Sequence, residues 1–519
     1  MTMIGSGCKF TNYEMNTKYE NTKIKNRTNF KGSALAYGLV IMAIVLILLT
    51  SILTYVSSQI RFSFNRVERE KAFQIAEAGV GYYRWYLAHA TDGMNTAQLK
   101  AFWGDSDTLG VSGSYEENYK DSETGEIIGK YVIELEVPDS GSTIAYVTST
   151  GSTIKTPDLA RKVRVRFRRP SWSEYMWVID DFVAFGDDAE VYGKVHSNFG
   201  IRFDGVAHNV VSALPARFND SSHGGSSLDF GVHTHSGTDD PFAPAYPWAE
   251  GTVPERSDVF EAGRQFPVPE VSFSGVLTDL GNMKNEAQAP GGATINSCTT
   301  TGCYFNYDTD DDEGKRIILK NNGEFDICTV ASRHPSAFHP TSYRRNTGTN
   351  TCSSCGGNNC TRTFTIPDDG IIFVEGNVWV DGTVDGKKIT IAAANLLGGD
   401  PADIFIGLGN IRYTDYNCEN IIGLVAQRNI TVIRDCPDDF VIDAALIAQS
   451  GKISRGNYSL NKSTLTFNGA LASYLQPYFN TGNNGFGVRK YNFDNNLLYC
   501  PPPYFPTGTE YSIDLWEEL

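Results

Sequence analysis

Residues 34–56, ALAYGLVIMAIVLILLTSILTYV, contain no charged side chain, and no other feature limits the fold of this chain so strongly. At about 1.5 Å per residue the run makes a helix of about 35 Å, enough to cross an apolar bilayer core of about 30 Å. A surface or bundle helix is apolar along one stripe, whereas this one is apolar on every face. A cleaved secretory signal would have a shorter apolar stretch followed by a small-residue cleavage site. The preceding segment carries Lys9, Lys18, Lys23, Lys25, Arg27 and Lys31 against Glu14 and Glu20. By the positive-inside rule it is expected in the cytoplasm, with everything after about residue 60 outside and a single pass between them.

The helical pattern continues past the apolar run, with no proline from residue 33 to 92. Phe64, Val67, Phe73, Ala76, Val80, Tyr83 and Leu87 recur as an amphipathic stripe, and Arg66, Glu68, Arg69, Glu70 and Lys71 fill the polar side. Gly79 and Gly81 each cost a helix about 1 kcal/mol, so they mark a kink or a close packing contact.

The basic leader ending in Lys31-Gly32-Ser33, the apolar helix and then REKAFQIAEAG resemble the N-terminal segment of PilX-type minor pilins and, more distantly, the K-type pseudopilin of type II secretion. The likeness spans about residues 28–90. It implies cleavage between Gly32 and Ser33 by a prepilin peptidase, then packing of the mature helix among other pilins or pseudopilins delivered by an inner-membrane assembly platform. Major pilins carry a glutamate at the fifth mature position. Here that position is Tyr37, as expected of relatives at or near a filament tip, so Tyr37, Glu77 and Gly79 are the expected helix-packing residues.

The rest reads as mainly β. Fifty glycines without a Gly-X-Y period indicate many turns. Residues 93–170 are expected to form a small α/β head in which IELEV (133–137) and KVRVRF (162–167) alternate with period two. The basic row Lys162, Arg164, Arg166, Arg168 and Arg169 is taken as a solvated strand face. From residue 171 a repeat emerges. Val191-Tyr-Gly-Lys-Val195 is echoed by Val380-Asp-Gly-Thr-Val384, GLVAQRNITV (423–432) by ALIAQSGKIS (445–454), and more loosely by GALASY (469–474). Short strands at a period of about 20 predict a β-solenoid-like ectodomain, with a β-sandwich as the competing fold. The expected organisation is a leader (1–32), the helix (33–92), the head (93–170), solenoid segments at 171–285 and 366–475, a Cys- and Asp-rich insertion (286–365), and a Pro/aromatic cap (476–519). The fold class is α+β, mainly β.

Cysteine use outside the leader suits an oxidising compartment. Cys298, Cys303, Cys328, Cys352, Cys355, Cys360, Cys418 and Cys436 are the disulfide candidates; Cys500 makes an odd count of nine and leaves one thiol over. The competing reading is zinc held by the CxxC, Cys360 and His334 or His339. Asp308, Asp310 and Asp312 are candidate calcium ligands, in keeping with K-type pseudopilins, although Glu313 stands where an EF-type loop needs glycine. His233 and His235 alternate on one strand face, but with no acid at a fixed spacing they are read as strand residues.

The 44 basic against 60 acidic side chains argue against a nucleic-acid partner. No nucleophile elbow, phosphate loop or HExxH occurs, so no catalytic residues are expected. The functional expectation is a non-enzymatic minor pilin or pseudopilin presenting a large ectodomain to a surface ligand that the sequence does not identify. The rival is an anchored adhesin or a polysaccharide-active β-helix, with Asp180, Asp181, Asp187, Asp188, Lys194 and Arg202 as its acidic and basic groups.

Overall fold

The computed structural model describes residues 33–519 except 93, 95, 139–141, 224–226, 272, 274–275, 289–295, 301, 307–311, 347–349, 357–358, 368–369, 482–483 and 509–510. The chain divides into two units, Met1–Glu68 and Arg69–Leu519. A single helix, α1 (Ser33–Ala90), runs through the boundary. In the first unit its apolar residues are exposed throughout, Leu46 at 55% and Leu53 at 66%.

In the second unit the helix seats on an antiparallel sheet of β1 (Tyr115–Lys120), β2 (Ile127–Glu136), β3 (Ala145–Thr153) and β4 (Arg161–Arg168). Val163, Val165 and Phe167 of β4 point inward with Val147 and Ile133, and meet Ile75, Ala76, Val80, Tyr83 and Leu87 of α1. The period-two strands and the later part of the amphipathic stripe therefore face each other, while Phe64 and Val67 remain about half exposed. The fifth strand of this sheet comes from the C-terminus: Ser512–Glu518 pairs antiparallel with β4. These residues were expected in a cap over one end of the repeat; they complete the head instead.

That strand also corrects the reading of the basic row. Asp514 takes Arg166 at 2.7 Å and also Arg168, Glu174 pairs with Arg168, and Arg164 forks onto Glu136. Arg169 donates at 2.9 Å to the carbonyls of Thr91 and Met94, in the turn that follows the end of α1. Lys162 alone of the row is exposed.

Most of the remaining strands form one long, largely parallel ladder, beside which stand a two-stranded and a three-stranded sheet. Ile371–Glu375 pairs with Lys388–Ala394, then Ile421–Ala426, Asp439–Ala448 and Lys462–Ser473 follow in order. The repeat is the register: Gly423↔Ala445 and Ala426↔Ala448 superpose the two Ala-Gln motifs, and Ala445↔Ala470 adds the looser GALASY echo. The Val191 and Val380 echoes, by contrast, lie on strands that do not pair with each other. Both faces of these strands are buried, which favours the near-continuous runs IIFVE and IIGLVA over alternation. Parallel pairing of this extent is not the pattern of the antiparallel β-sandwich.

The chain enters and leaves this ladder at the same rung. Leu471–Ser473 pairs with Trp177–Ile179, and Tyr491–Asn492 pairs with Val191–Tyr192. From there the earlier segment continues outward through Val195–Ser197, Val211–Ala213 and Arg264–Gln265. A second helix, α2 (Thr96–Gly104), belongs to the head region, and a third, α3 (Val276–Gln288), buries Leu280, Met283 and Ala287 against Tyr304, Ile371 and Phe373. The Cys-rich region docks on the opposite end of the ladder by parallel pairing of Gly314–Leu319 with Val378–Val384. The Pro-rich tail lies along the side: Tyr504 and Phe505 are buried with Ile371, Ala392 and Ile421.

Candidate functional site

The N-terminal helix is the element with the clearest functional geometry. Gly32 lies outside the described residues, and Ser33 is the first residue of α1. Tyr37 is 69% exposed in the first unit. Glu77 is exposed on the outer side of α1 within the second unit. Gly79 faces inward: a Cβ there would run into Ser149 Oγ and the Tyr131 ring. Gly151 is its counterpart on β3, where a Cβ would strike the carbonyl of Ala72 and the amide of Ala76. Ala72, Ala76 and Gly79 thus let helix and sheet approach to backbone contact, which answers the choice between kink and close packing in favour of packing. At Gly81, two residues on, a Cβ would meet nothing within 4 Å.

The aromatic lining of this seat is strongly buried. Burial, with the neighbouring Tyr86 and Tyr511, pushes the Tyr83 hydroxyl well above its ordinary range, and it donates to the Leu109 carbonyl at 2.9 Å. Burial pushes Asp514 up, but hydrogen bonds from Arg166 and Arg168 outweigh this and hold its carboxyl below the usual range.

Among the cysteines, Cys298–Cys303, Cys328–Cys355 and Cys352–Cys360 are disulfides within the Cys-rich region. With all six thiols so engaged, no thiolate remains for the zinc reading, and His339 pairs with Asp435 at 2.9 Å. The fourth bond joins Cys418 to Cys500, 82 residues apart. Cys436, expected among the bridged residues, is instead a buried free thiol. It packs in the ladder interior with Ile406, Val432 and Phe440, where burial pushes its pKa up and Arg455 only partly offsets the rise; such a thiol is inert. The Pro-rich tail crossing the ladder is what brings Cys500 to Cys418, and spacing carries no sign of that path.

Asp308 and Asp310 lie outside the described residues. Asp312 is buried, with its carboxylate on Arg344. Four of the groups of the polysaccharide reading are engaged separately: Asp180 accepts from Asn198, Asp181 from the Phe182 and Gln476 amides, Asp188 pairs with Arg489, and Arg202 pairs with Asp204 and Asp220.

By length and composition α1 is able to cross a membrane, with mean hydropathy 2.8 in its most apolar window and none of that window buried. Residues 31–80 match the family model described as PilX N-terminal. None of the curated proteins matches the chain. Among solved structures, the competence-associated pilin ComZ from Thermus thermophilus aligns over 87% of this chain and 97% of its own, at 11% identity and a TM-score of 0.30, values too low to assign fold or function. This chain is PilX-like: it carries a PilX-type N-terminal segment, and a large, mainly β, disulfide-bonded region follows it.

Proposed function

We propose that the chain is a minor pilin or pseudopilin that joins or caps a type IV pilus-like filament and presents its β-rich region outside the cell. The observation that carries this reading is the coincidence of the PilX N-terminal match with one helix of two characters, exposed and uniformly apolar first, then seated on a head sheet. In this reading the leader is cytoplasmic, a prepilin peptidase cuts after Gly32, and residues 34–56 hold the chain in the inner membrane until the assembly platform moves it into a filament. The long parallel ladder is read as stacked coils of a β-solenoid, supported by registers such as Gly423↔Ala445. More than 400 residues beyond the helix would clash if repeated along a thin filament, so low copy number at or near a tip is the physical expectation. The role is structural or adhesive and needs no catalytic residue.

The test is the mature N-terminus, read by mass spectrometry on membrane and sheared-filament fractions. A chain beginning at Ser33 supports the pilin reading. An intact leader retained in the membrane overturns it in favour of a statically anchored surface protein.

A further inference from the structure

We propose that Asp220, His233 and His235 form a binding site for a divalent transition cation of the zinc class. Their ligand atoms all lie within 4.8 Å of one another. The local fold explains the meeting. Arg217–Phe218 pairs antiparallel with Asp229–Phe230, and Val232–His233 then pairs parallel with Ile201–Arg202. Asp220 leaves the first of these strands beside the point where His233 and His235 leave the last, and i, i+2 spacing turns both rings to one side.

Three details of the cluster point to a cation. First, His233 Nδ1 is 3.1 Å from the Phe230 carbonyl. A carbonyl only accepts, so this nitrogen carries the proton. Its other nitrogen, Nε2, lies 3.3 Å from Asp220 Oδ2, so an imidazole nitrogen and a carboxylate oxygen, both cation ligands, converge on one point. Second, that separation matches the ligand–ligand edge of about 3.3 Å that follows from tetrahedral zinc bonds of about 2.0–2.1 Å. Third, His235 Nε2 is buried with no hydrogen-bond partner.

The surroundings resemble an outer shell. His223 stacks on His235 with ring centres 3.9 Å apart, and its Nδ1 bonds Asp229 Oδ1 at 2.6 Å. That carboxylate–histidine pairing is of the kind that fixes ring orientation around metals. Arg202 Nη1 shares Asp220 Oδ2 at 3.3 Å, longer than the 2.7–2.9 Å or so of a firm charge-assisted bond. Its firmer hydrogen bond is to Ser222 Oγ at 2.7 Å, and Asp204 Oδ2 lies 3.1 Å from its Nε, so it has partners to keep when an ion takes Oδ2. Two histidines along the ladder stand apart from this cluster: His196 has both nitrogens engaged by Ser212 and Asn198, and His208 has Nδ1 on Glu261 with its buried Nε2 unpartnered. An imidazole and carboxylate donor set suits zinc, and also nickel and cobalt.

The test uses the full chain in detergent, purified without a polyhistidine tag, stripped with a strong chelator and titrated with Zn²⁺. The expected result is one equivalent of zinc at micromolar affinity or better, weakened at least tenfold in His235→Ala and in Asp220→Asn, and unchanged in His208→Ala. Co²⁺ should give visible d–d bands without a thiolate charge-transfer band, which separates this site from Cys436. Failure of the wild-type chain to bind zinc, or equal affinity in His235→Ala, overturns the proposal. His235 has no hydrogen-bond partner at Nε2 to lose, so that variant keeps the test decisive even where Asp220→Asn fails to fold.

Discussion

The two stretches of α1 obey the same backbone geometry and have opposite relations to their surroundings. Residues 34–56 are apolar on every face and exposed throughout, whereas Ala72, Ile75, Ala76, Val80, Tyr83 and Leu87 form one buried stripe against the head sheet. The first stretch is specified by bulk hydrophobicity, so many apolar residues serve equally well at each position. The second is specified by shape, because a helix lying on β2 and β3 at backbone contact tolerates only small residues at Ala72, Ala76 and Gly79 and at the opposing Gly151. Hydrophobicity is legible from composition; close approach is not.

This contrast can be broken from either side. The largest effect is expected from charging the first stretch: Val45→Asp with Leu49→Asp, one turn apart, should cost membrane insertion about 5–7 kcal/mol in total. Fractionation should find the double variant outside the membrane while head stability is unchanged. Next, Gly151→Ala should destabilise the second unit by about 3 kcal/mol, since the added methyl meets helix backbone that cannot rotate away; chemical denaturation followed by tryptophan fluorescence measures it. An undiminished midpoint in Gly151→Ala would mean that helix and sheet are not in close contact.

Asp514→Asn comes third, with an expected loss of about 2 kcal/mol from its hydrogen bonds to Arg166 and Arg168. Because the folded-state pKa of Asp514 is depressed, its contribution is present above the unfolded-state value of about 3.9 and is lost as pH falls below it. The wild-type chain should therefore lose head stability in acid more steeply than Asp514→Asn, which denaturation between about pH 2 and 6 would resolve. The smallest effect is Gly81→Ala, where open space around the position leaves only helix propensity, a gain of up to about 1 kcal/mol. Against Gly151→Ala it separates conformational cost from packing in the same helix–sheet pair.

Much of this was readable in advance where the signal was local. The uncharged run, the period-two strands of the head and the 22-residue offset between the Ala-Gln motifs each report the environment of a few neighbouring residues, and the last of these turned out to be strand register itself. The basic row on β4 shows the limit. Its residues alternate as a solvated face would, but at Arg166 and Arg168 solvent is replaced by Asp514, some 350 positions later.

Sequence by itself determined the anchor, the mainly β character, the disulfide-bonded Cys-rich region and the repeat, because each depends on composition or on a short period that every residue of the segment repeats. Tertiary structure alone decided which edges meet. The pairing of Leu471–Ser473 with Trp177–Ile179, the C-terminal strand beside β4, the Cys418–Cys500 bond and the approach of Asp220 to His233 and His235 all join segments through unsatisfied strand edges and the turns between them. The entropy of closing a loop grows only slowly with its length, so distance along the chain neither forbids nor announces such contacts. Which partner an open edge takes is settled by hydrogen bonding and burial once the neighbouring rungs have stacked.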